Sequence, residues 1–434
     1  MKLTALYHYF YPDDVVSARH FGDLLVGLAA RGWEVEVLPC NRGCRDERQT
    51  YAPYQEWQGV TIRRVWRPRI AQASGVGRIA NALWMIAAWS RIVFRPRRRL
   101  PDVLLIGTDP ILSVLVAAVV KLLRPSVRIA HWAFDLYPEA AIADGLVRED
   151  DLSIRLLRRL LRQAYASCDL IVDLGPCMGK RLASYGRPPR QTTLIPWAIV
   201  EPETVQAPDP RIRAQLFGDA RLAVLYAGNF GRAHGYEEFL DLARAVRGSG
   251  IHFCFAVRGN RVQELKLAVG PDDTNVTFAD FAAESELTAR LAAADVHLAS
   301  LRPGWTGVVV PSKFFGSLAA GRPVIFAGEP LSAIARWIRQ YDVGWVLDRT
   351  TLSQLKEALE RQAAVPRELR ELQERCHATY HKYFSRQTMI DGWDCALREA
   401  VSAIAPKGRS SAEKIGDGGR QEVAVRFEAI LTER

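Results

Sequence analysis

Short hydrophobic runs alternate with amphipathic stretches along most of the chain. Leu3 to Phe10 reads as a strand, followed by the loop Tyr11-Pro12-Asp13-Asp14. Ser17 is placed to cap a helix with Phe21, Leu24, Leu25 and Leu28 on one face, and Gly32 ends it. Glu34 to Leu38 is a second strand. This β–loop–α–β opening predicts a parallel, doubly wound sheet. The same alternation predicts strands at 61–65, 103–107, 128–134, 170–174 and 193–195, with helices at 79–94, 111–123 and 150–167. Between 186 and 210 six prolines (188, 189, 196, 202, 208, 210) interrupt the periodicity.

The pattern then restarts. Arg221 to Ala227 is a strand that runs into the glycine-rich loop 228–235, which opens a helix. Strands at 252–257, 276–281 and 296–301 alternate with helices from Arg261 and Ser285. The stretch Val310 to Ala327 closes the series. It opens on Pro311-Ser312-Lys313, residue types favoured in the first turn of a helix. Gly321 is suited to a left-handed helix end, Pro323 follows it, and Val324 to Phe326 is a strand. The fold expected is α/β with two Rossmann-like halves: residues 1–190, a linker at 191–210, a second half at 211–385, a helix at 386–405 and a polar tail at 406–434.

At 434 residues, 49% hydrophobic and 24% charged, the chain has the composition of a globular protein with more than one core. Its seven cysteines form neither a CxxC pair nor a zinc spacing, so reduced thiols and no metal centre are expected. Met1-Lys2 leads directly into a strand without a signal-peptide pattern, which reads as cytosolic.

Charge changes the picture. Residues 1–190 hold 28 Lys and Arg against 18 Asp and Glu, while the remainder is balanced, so the net charge of +10 lies in the first half. That half is suited to meet a polyanion. In IANALWMIAAWSRIVF (79–94) the tryptophans Trp84 and Trp89 precede Arg95, Arg97, Arg98 and Arg99. Sixteen residues containing Arg91 fall short of the about 20 needed to span a bilayer. Two readings stand: a helix dipping into an anionic membrane face, or a core helix with a solvated basic end. One compact cluster supports nucleic acid poorly.

The chemistry concentrates where strands end. The first loop lacks GxGxxG, so a dinucleotide site is not indicated there. The segment from His131 to Glu139 puts a histidine and two carboxylates at a carboxyl end, where parallel sheets bind ligands. Its bland alternative is a packed histidine with a helix-capping acid. In the second half, Gly228, Asn229, Gly231 and Arg232 lie on a loop whose backbone can approach an anion, and Arg232 can fork onto phosphate oxygens. Ser312 and Lys313 form a second candidate phosphate seat.

The segments YAGNFGRAHG (226–235), AVRGN (256–260), AAADVHLASL (292–301) and VPSKFFGSLAAGRPVIFAG (310–328), with HWAFDLYPEAAIADGL (131–146), resemble the family 4 retaining glycosyltransferases of GT-B fold, in the subgroup that builds O-antigen and exopolysaccharides. The resemblance runs over about residues 1–400. It implies two domains facing across a cleft, with C-terminal helices crossing back to the first. It further implies that Gly228, Asn229, Gly231, Arg232, Ser312 and Lys313 hold a donor diphosphate, and that Gly259, Asn260, Phe281 and Gly316 lie near the base and ribose. His131, Asp135 and Asp13 fall near the reaction centre. No Asp-x-Asp occurs, which fits metal-independent transfer without a cofactor. Two departures stand out. Family members carry glutamates where this chain has Val308 and Gly316, and a lysine where it has His234.

The function expected is sugar transfer, with retention, from a nucleoside diphosphate sugar to a polyprenyl-diphosphate-linked saccharide at the cytoplasmic membrane face. A sugar-nucleotide 2-epimerase on the same fold and a non-catalytic partner in polysaccharide assembly are the alternatives.

Overall fold

The computed structural model describes residues 1–402 apart from 14, 71, 73, 95–98, 187–189 and 282–283. Arg95, Arg97, Arg98 and the expected tail at 406–434 lie outside the described residues. In chain order the first elements are β1 (Lys2–Leu6), α1 (Val16–Ala30), β2 (Glu34–Val37), β3 (Tyr54–Trp57), β4 (Val60–Arg63), α2 (Gly75–Val93), β5 (Val103–Gly107), α3 (Leu115–Leu123), β6 (Arg128–Trp132), α4 (Glu139–Ala143), α5 (Leu152–Ala166), β7 (Leu170–Asp173), α6 (Pro176–Ala183) and β8 (Gln191–Thr193). There follow α7 (Pro210–Phe217), β9 (Leu222–Asn229), α8 (Glu237–Ala245), β10 (Ile251–Arg258), α9 (Val262–Ala268), β11 (Val276–Ala279), α10 (Glu284–Ala292), β12 (Val296–Ser300), α11 (Lys313–Ala319), β13 (Val324–Ala327), α12 (Ala333–Tyr341), β14 (Gly344–Leu347), α13 (Leu352–Ala364), α14 (Pro366–Tyr383) and α15 (Arg386–Ser402).

Two compact units result. The first comprises Met1–Phe134, Leu156–Leu194 and the chain from Ile390; the second comprises Asp135–Arg155 and Ile195–Met389. The first carries an eight-stranded sheet in the order β3-β4-β2-β1-β5-β6-β7-β8, parallel except for the β3 edge. The second carries six parallel strands in the order β11-β10-β9-β12-β13-β14. Strands such as β5 and β12 are buried along their whole length, as expected where helices cover both faces of a parallel sheet. In each sheet the order reverses once, between β1 and β5 and between β9 and β12. Side chains at the carboxyl ends of those strands flank the crevice where such folds take ligands.

Several local expectations change. Ser17 does not cap α1; it lies inside the helix, whose N-cap is Val15. The first strand ends at Leu6, so His8 already belongs to the loop. Strand β4 answers to the strand expected at 61–65, but its hairpin partner β3 was not anticipated. The hairpin turns on Gln58 and Gly59, both at positive φ (48° and 81°), as a two-residue hairpin turn requires. In the closing stretch Gly321 has φ 68°, the left-handed helix end expected of it. The stretch expected to be a linker, 191–210, begins with β8, an edge strand of the first sheet.

Helix α2 resolves two tryptophans differently. Ser74 caps it by accepting from the Gly77 amide. Trp89 is fully buried, and its Nε1 donates to the Leu38 carbonyl at 2.7 Å. It is a core residue, which corrects its placement on a membrane surface. Trp84 is 39% exposed and packs edge-on against Trp66. Among the described residues no helix is long and apolar enough to cross a membrane.

The last helix returns to the first unit. Arg31 donates to Asp391 Oδ1 at 2.6 and 3.0 Å, and Trp33 Nε1 donates to Asp394 at 2.6 Å. Trp393 is fully buried, edge-on to Trp132 at 4.9 Å between ring centroids.

Candidate functional site

The sheet reversal in the second unit brings the glycine-rich loop after β9 beside the segment between β12 and α11. Gly228 has φ 123°, a region open to glycine, and a Cβ there would stand 3.0 Å from Lys313 Cε. Gly259 has φ 139°, and a Cβ on it would collide with the Phe230 carbonyl at 2.4 Å. Glycine at these two positions lets Lys313 approach the strand end of β9 and the loop after β10 approach Phe230. Phe230 N donates to the Arg258 carbonyl at 2.6 Å, and Arg302 N donates to the Ala233 carbonyl at 2.8 Å.

Lys313 is the first residue of α11. Two features seat that helix. Ser317 Oγ donates to the Lys313 carbonyl at 2.8 Å and lies 2.9 Å from Nδ1 of the buried His297. Phe314 and Phe315 pack against Trp337 and Phe384. The Lys313 ammonium lies above the Tyr226 ring, 5.4 Å from its centroid, and 3.3 Å from His234 Nε2. His234 Nδ1 is 2.8 Å from the Ser300 carbonyl. A carbonyl only accepts, so Nδ1 carries the proton and Nε2 presents its lone pair to Lys313. Burial, helped by the Lys313 charge, pushes the His234 pKa down to about 3, so the ring is neutral. Burial also lowers Lys313 to about 8. The histidine at the family's lysine position thus orients the second cation and adds no charge of its own.

Arg232 is half exposed and forms an ion pair with Asp144, which is itself largely buried in the segment after α4. The loop does not open α8 with a vacant N-terminus. Glu237 and Glu238 occupy the first turn, and Glu237 accepts from the Tyr236 amide at 2.9 Å. Carboxylates there disfavour an anion at that helix end. Helix α11 is only seven residues long, and Ser312 makes no side-chain cap. The positive charge of this loop cluster therefore lies on Arg232 and Lys313, with the Gly228, Asn229 and Gly231 backbone beside them.

At the carboxyl ends of β10 and β11, the Arg258 guanidinium lies 3.8 Å from the centroid of the Phe281 ring, which is 41% exposed. This flat, cationic platform adjoins Gly259 and Asn260. Arg258 escaped the sequence reading, since only the strand ends bring it to Phe281. Val308 is fully buried, and its carbonyl accepts from the Leu136 amide at 3.1 Å. Gly316 faces open space, with no atom within 4 Å of the position a Cβ would take.

The residues assigned to the reaction centre separate. His131 is 2% exposed, its Nδ1 is 2.9 Å from the Ile106 carbonyl, and burial lowers its pKa to about 4. The ring is part of the first unit's core, which corrects its placement at a ligand-facing strand end. Asp13 accepts from the Cys44 amide at 3.0 Å and from the Tyr51 hydroxyl at 3.1 Å, bracing its loop, and burial raises its pKa. Asp135 is exposed, in the turn after β6. The first unit instead shows a pair not foreseen, the buried His8 Nδ1 and the partly exposed Asp109 Oδ1 at 3.3 Å, at its own sheet reversal. Burial opposes charge on His8, but Asp109 outweighs it and holds the imidazole up at about 9. The two residues are 101 positions apart, so only topology unites them.

Two doubly wound units on one chain, with two cations at the sheet reversal of the second, are the architecture of the GT-B class. Residues 17–198 match the glycosyl transferase 4-like domain. The probable glycosyltransferase WbjE of Pseudomonas aeruginosa is 30% identical over 257 residues, which is 57% of this chain and 63% of that protein, so the match spans just under two thirds of that relative. The putative colanic acid biosynthesis glycosyl transferase WcaI of Escherichia coli K12 is 22% identical over 350 residues, 77% of this chain and 85% of that one. The crystal structure of Anabaena Alr3699/HepE in complex with UDP superposes with a TM-score of 0.61 at 13% identity, covering 92% of this chain and all of that one. The fold is GT-B, and over residues 17–198 the chain is similar to the family 4 glycosyltransferases.

Proposed function

We propose that the protein transfers a sugar from a nucleoside diphosphate donor, with retention and without a metal ion, onto a polyprenyl-diphosphate-linked saccharide in surface polysaccharide synthesis. The observation that carries this reading is the placement of Lys313, oriented by neutral His234, beside the Gly228 backbone and Arg232. In the reaction the bond from the anomeric carbon to the donor phosphate oxygen breaks. Its electron pair stays on the leaving diphosphate. Fixed cations at that position stabilise the developing charge. The Arg258–Phe281 platform adjoins the loop assigned to the base and offers a face for stacking.

A specific observation favours a second reading, a non-catalytic assembly partner. Val308 and Gly316 replace both family glutamates, and nothing fills the space beside Gly316. Incubating the protein with nucleotide sugars and a polyprenyl-diphosphate saccharide, followed by mass spectrometry of the lipid, separates the readings. A lipid heavier by one sugar supports transfer. An epimerised donor with unchanged lipid indicates an epimerase, and no binding of any donor favours the partner.

The acceptor end of the proposal rests on the first unit. Helices α2 and α3 pack together and leave Val76, Ile79, Leu83, Trp84, Leu122 and Leu123 exposed. Exposed apolar side chains on a helix that also carries Arg78 and Arg91 suit an anionic bilayer face. Leu83→Gln with Trp84→Gln is expected to abolish pelleting with phosphatidylglycerol vesicles. Unchanged pelleting would refute this membrane face.

A further inference from the structure

The two histidines of α14 lie outside everything described so far. His377 and His381 are one helical turn apart, so their rings share a face. Their Nε2 atoms are 3.0 Å from each other, and they lie 2.9 and 3.0 Å from a single acceptor, the Pro202 carbonyl. Three donor atoms thus form a nearly equilateral triangle.

Hydrogen bonding alone satisfies this triangle badly. The carbonyl has no proton, and a neutral imidazole has one. If both Nε2 atoms carry hydrogen, two N–H groups converge across the third edge. If one does not, its lone pair faces the carbonyl's. One edge is unfavourable in either case, whereas a cation held by three lone pairs makes all three favourable. The size agrees as well. Donors about 2.1 Å from a metal ion stand about 3.0 Å apart at the right angles of a six-coordinate site completed by water, against about 3.4 Å at tetrahedral angles.

We infer that His377, His381 and the Pro202 carbonyl form a binding site for one divalent ion of the zinc type. Two imidazoles and one oxygen suit Zn2+, Co2+ or Ni2+ better than Mg2+ or Ca2+, which prefer all-oxygen sets. Among the described residues no three His, Cys, Asp or Glu side chains gather, so the backbone supplies the third ligand. Both histidines are half-buried, which leaves positions for water.

The site is structural. The chain re-enters the second unit at Ile195 and leaves it after Met389. Pro202 follows the entry and α14 precedes the exit. Tyr380, between the two histidines, already ties the same segments by accepting from the Ala198 amide at 2.8 Å and donating to Glu201. An ion here clips together segments 175 and 179 residues apart, and closing so long a loop constrains the unfolded chain.

The test uses the full-length, tag-free protein and calorimetric titration with Zn2+, with Co2+ as a visible-spectrum probe. The expected result is one equivalent bound and a higher midpoint of thermal unfolding. His377→Gln and His381→Gln, which keep a donor for Pro202, each weaken binding at least tenfold while the metal-free unfolding midpoint stays within 2 °C of wild type, about the effect of a mild surface change. His252→Gln, a half-buried histidine elsewhere, binds as wild type. Equal binding by wild type and the doubly substituted protein, or no Co2+ spectrum in wild type, overturns the inference.

Discussion

If Lys313 holds a donor diphosphate as proposed, binding has a pH dependence set by the burial of its ammonium. An ordinary lysine titrates at about 10.4. Burial lowers Lys313 to about 8 in the nucleotide-free protein. A diphosphate beside it favours the charged form, so the pKa in the complex lies above that in the free protein. Affinity is then full below pH 8 and falls as pH rises towards the pKa of the complex. At pH 9 only about one tenth of Lys313 is charged, and a complex that restores the ordinary value binds about tenfold more weakly than at pH 7, close to 1.4 kcal/mol. His234, held near 3, stays neutral throughout this window, and arginines keep their charge. Calorimetric titration with the nucleoside diphosphate in two buffers of different ionisation enthalpy reads both quantities. At pH 8 about half a proton is taken up per nucleotide bound. Lys313→Met removes the slope and binds at pH 7 as weakly as wild type does at high pH. A flat affinity from pH 7 to 9, or the same slope in Lys313→Met, refutes the assignment.

Other consequences are independent of that titration. For the guanidinium to meet a phosphate Asp144 must release Arg232, and a pair whose cation stays half in solvent is worth about 1 kcal/mol. Asp144→Asn is therefore expected to strengthen nucleotide binding up to about fivefold by equilibrium titration, and weaker binding would show the pair to be part of the site. Arg322 is 2% exposed and donates to the carbonyls of Ala294, Ala320, Ala292 and Gln206 at 2.6–2.9 Å. Arg322→Met leaves those oxygens without a donor and is expected to cost about 3–5 kcal/mol in urea unfolding, a loss below 1 kcal/mol being the contrary result.

The alternation of elements was legible because parallel strands are buried on both faces and read as continuous apolar runs, as at β5 and β12. The end of α11 was legible because Gly321 meets a backbone demand that few residues satisfy. The limits have equally physical causes. Trp84 and Trp89 lie on one helix that is apolar on both faces, so periodicity could not tell the inner from the outer one. His131 shares a strand with residues that do reach the carboxyl end, and only the sheet's packing shows the ring to be enclosed. Arg232 and Asp144 are 88 residues apart, and Arg258 meets Phe281 only where two strands end. The spacing of His377 and His381 stands in the sequence, but the Pro202 carbonyl that completes the triangle does not.

The central claim is that a nucleoside diphosphate sits on Arg232 and Lys313 in the second unit. Thermal unfolding of the purified protein with UDP, GDP, CDP and dTDP tests it most directly. One of them, at about 100 times its dissociation constant, is predicted to stabilise the wild type by about 2.7 kcal/mol and to leave the Arg232→Ala, Lys313→Met protein unchanged. Stabilisation of both proteins alike, or of neither by any nucleotide, would contradict the account.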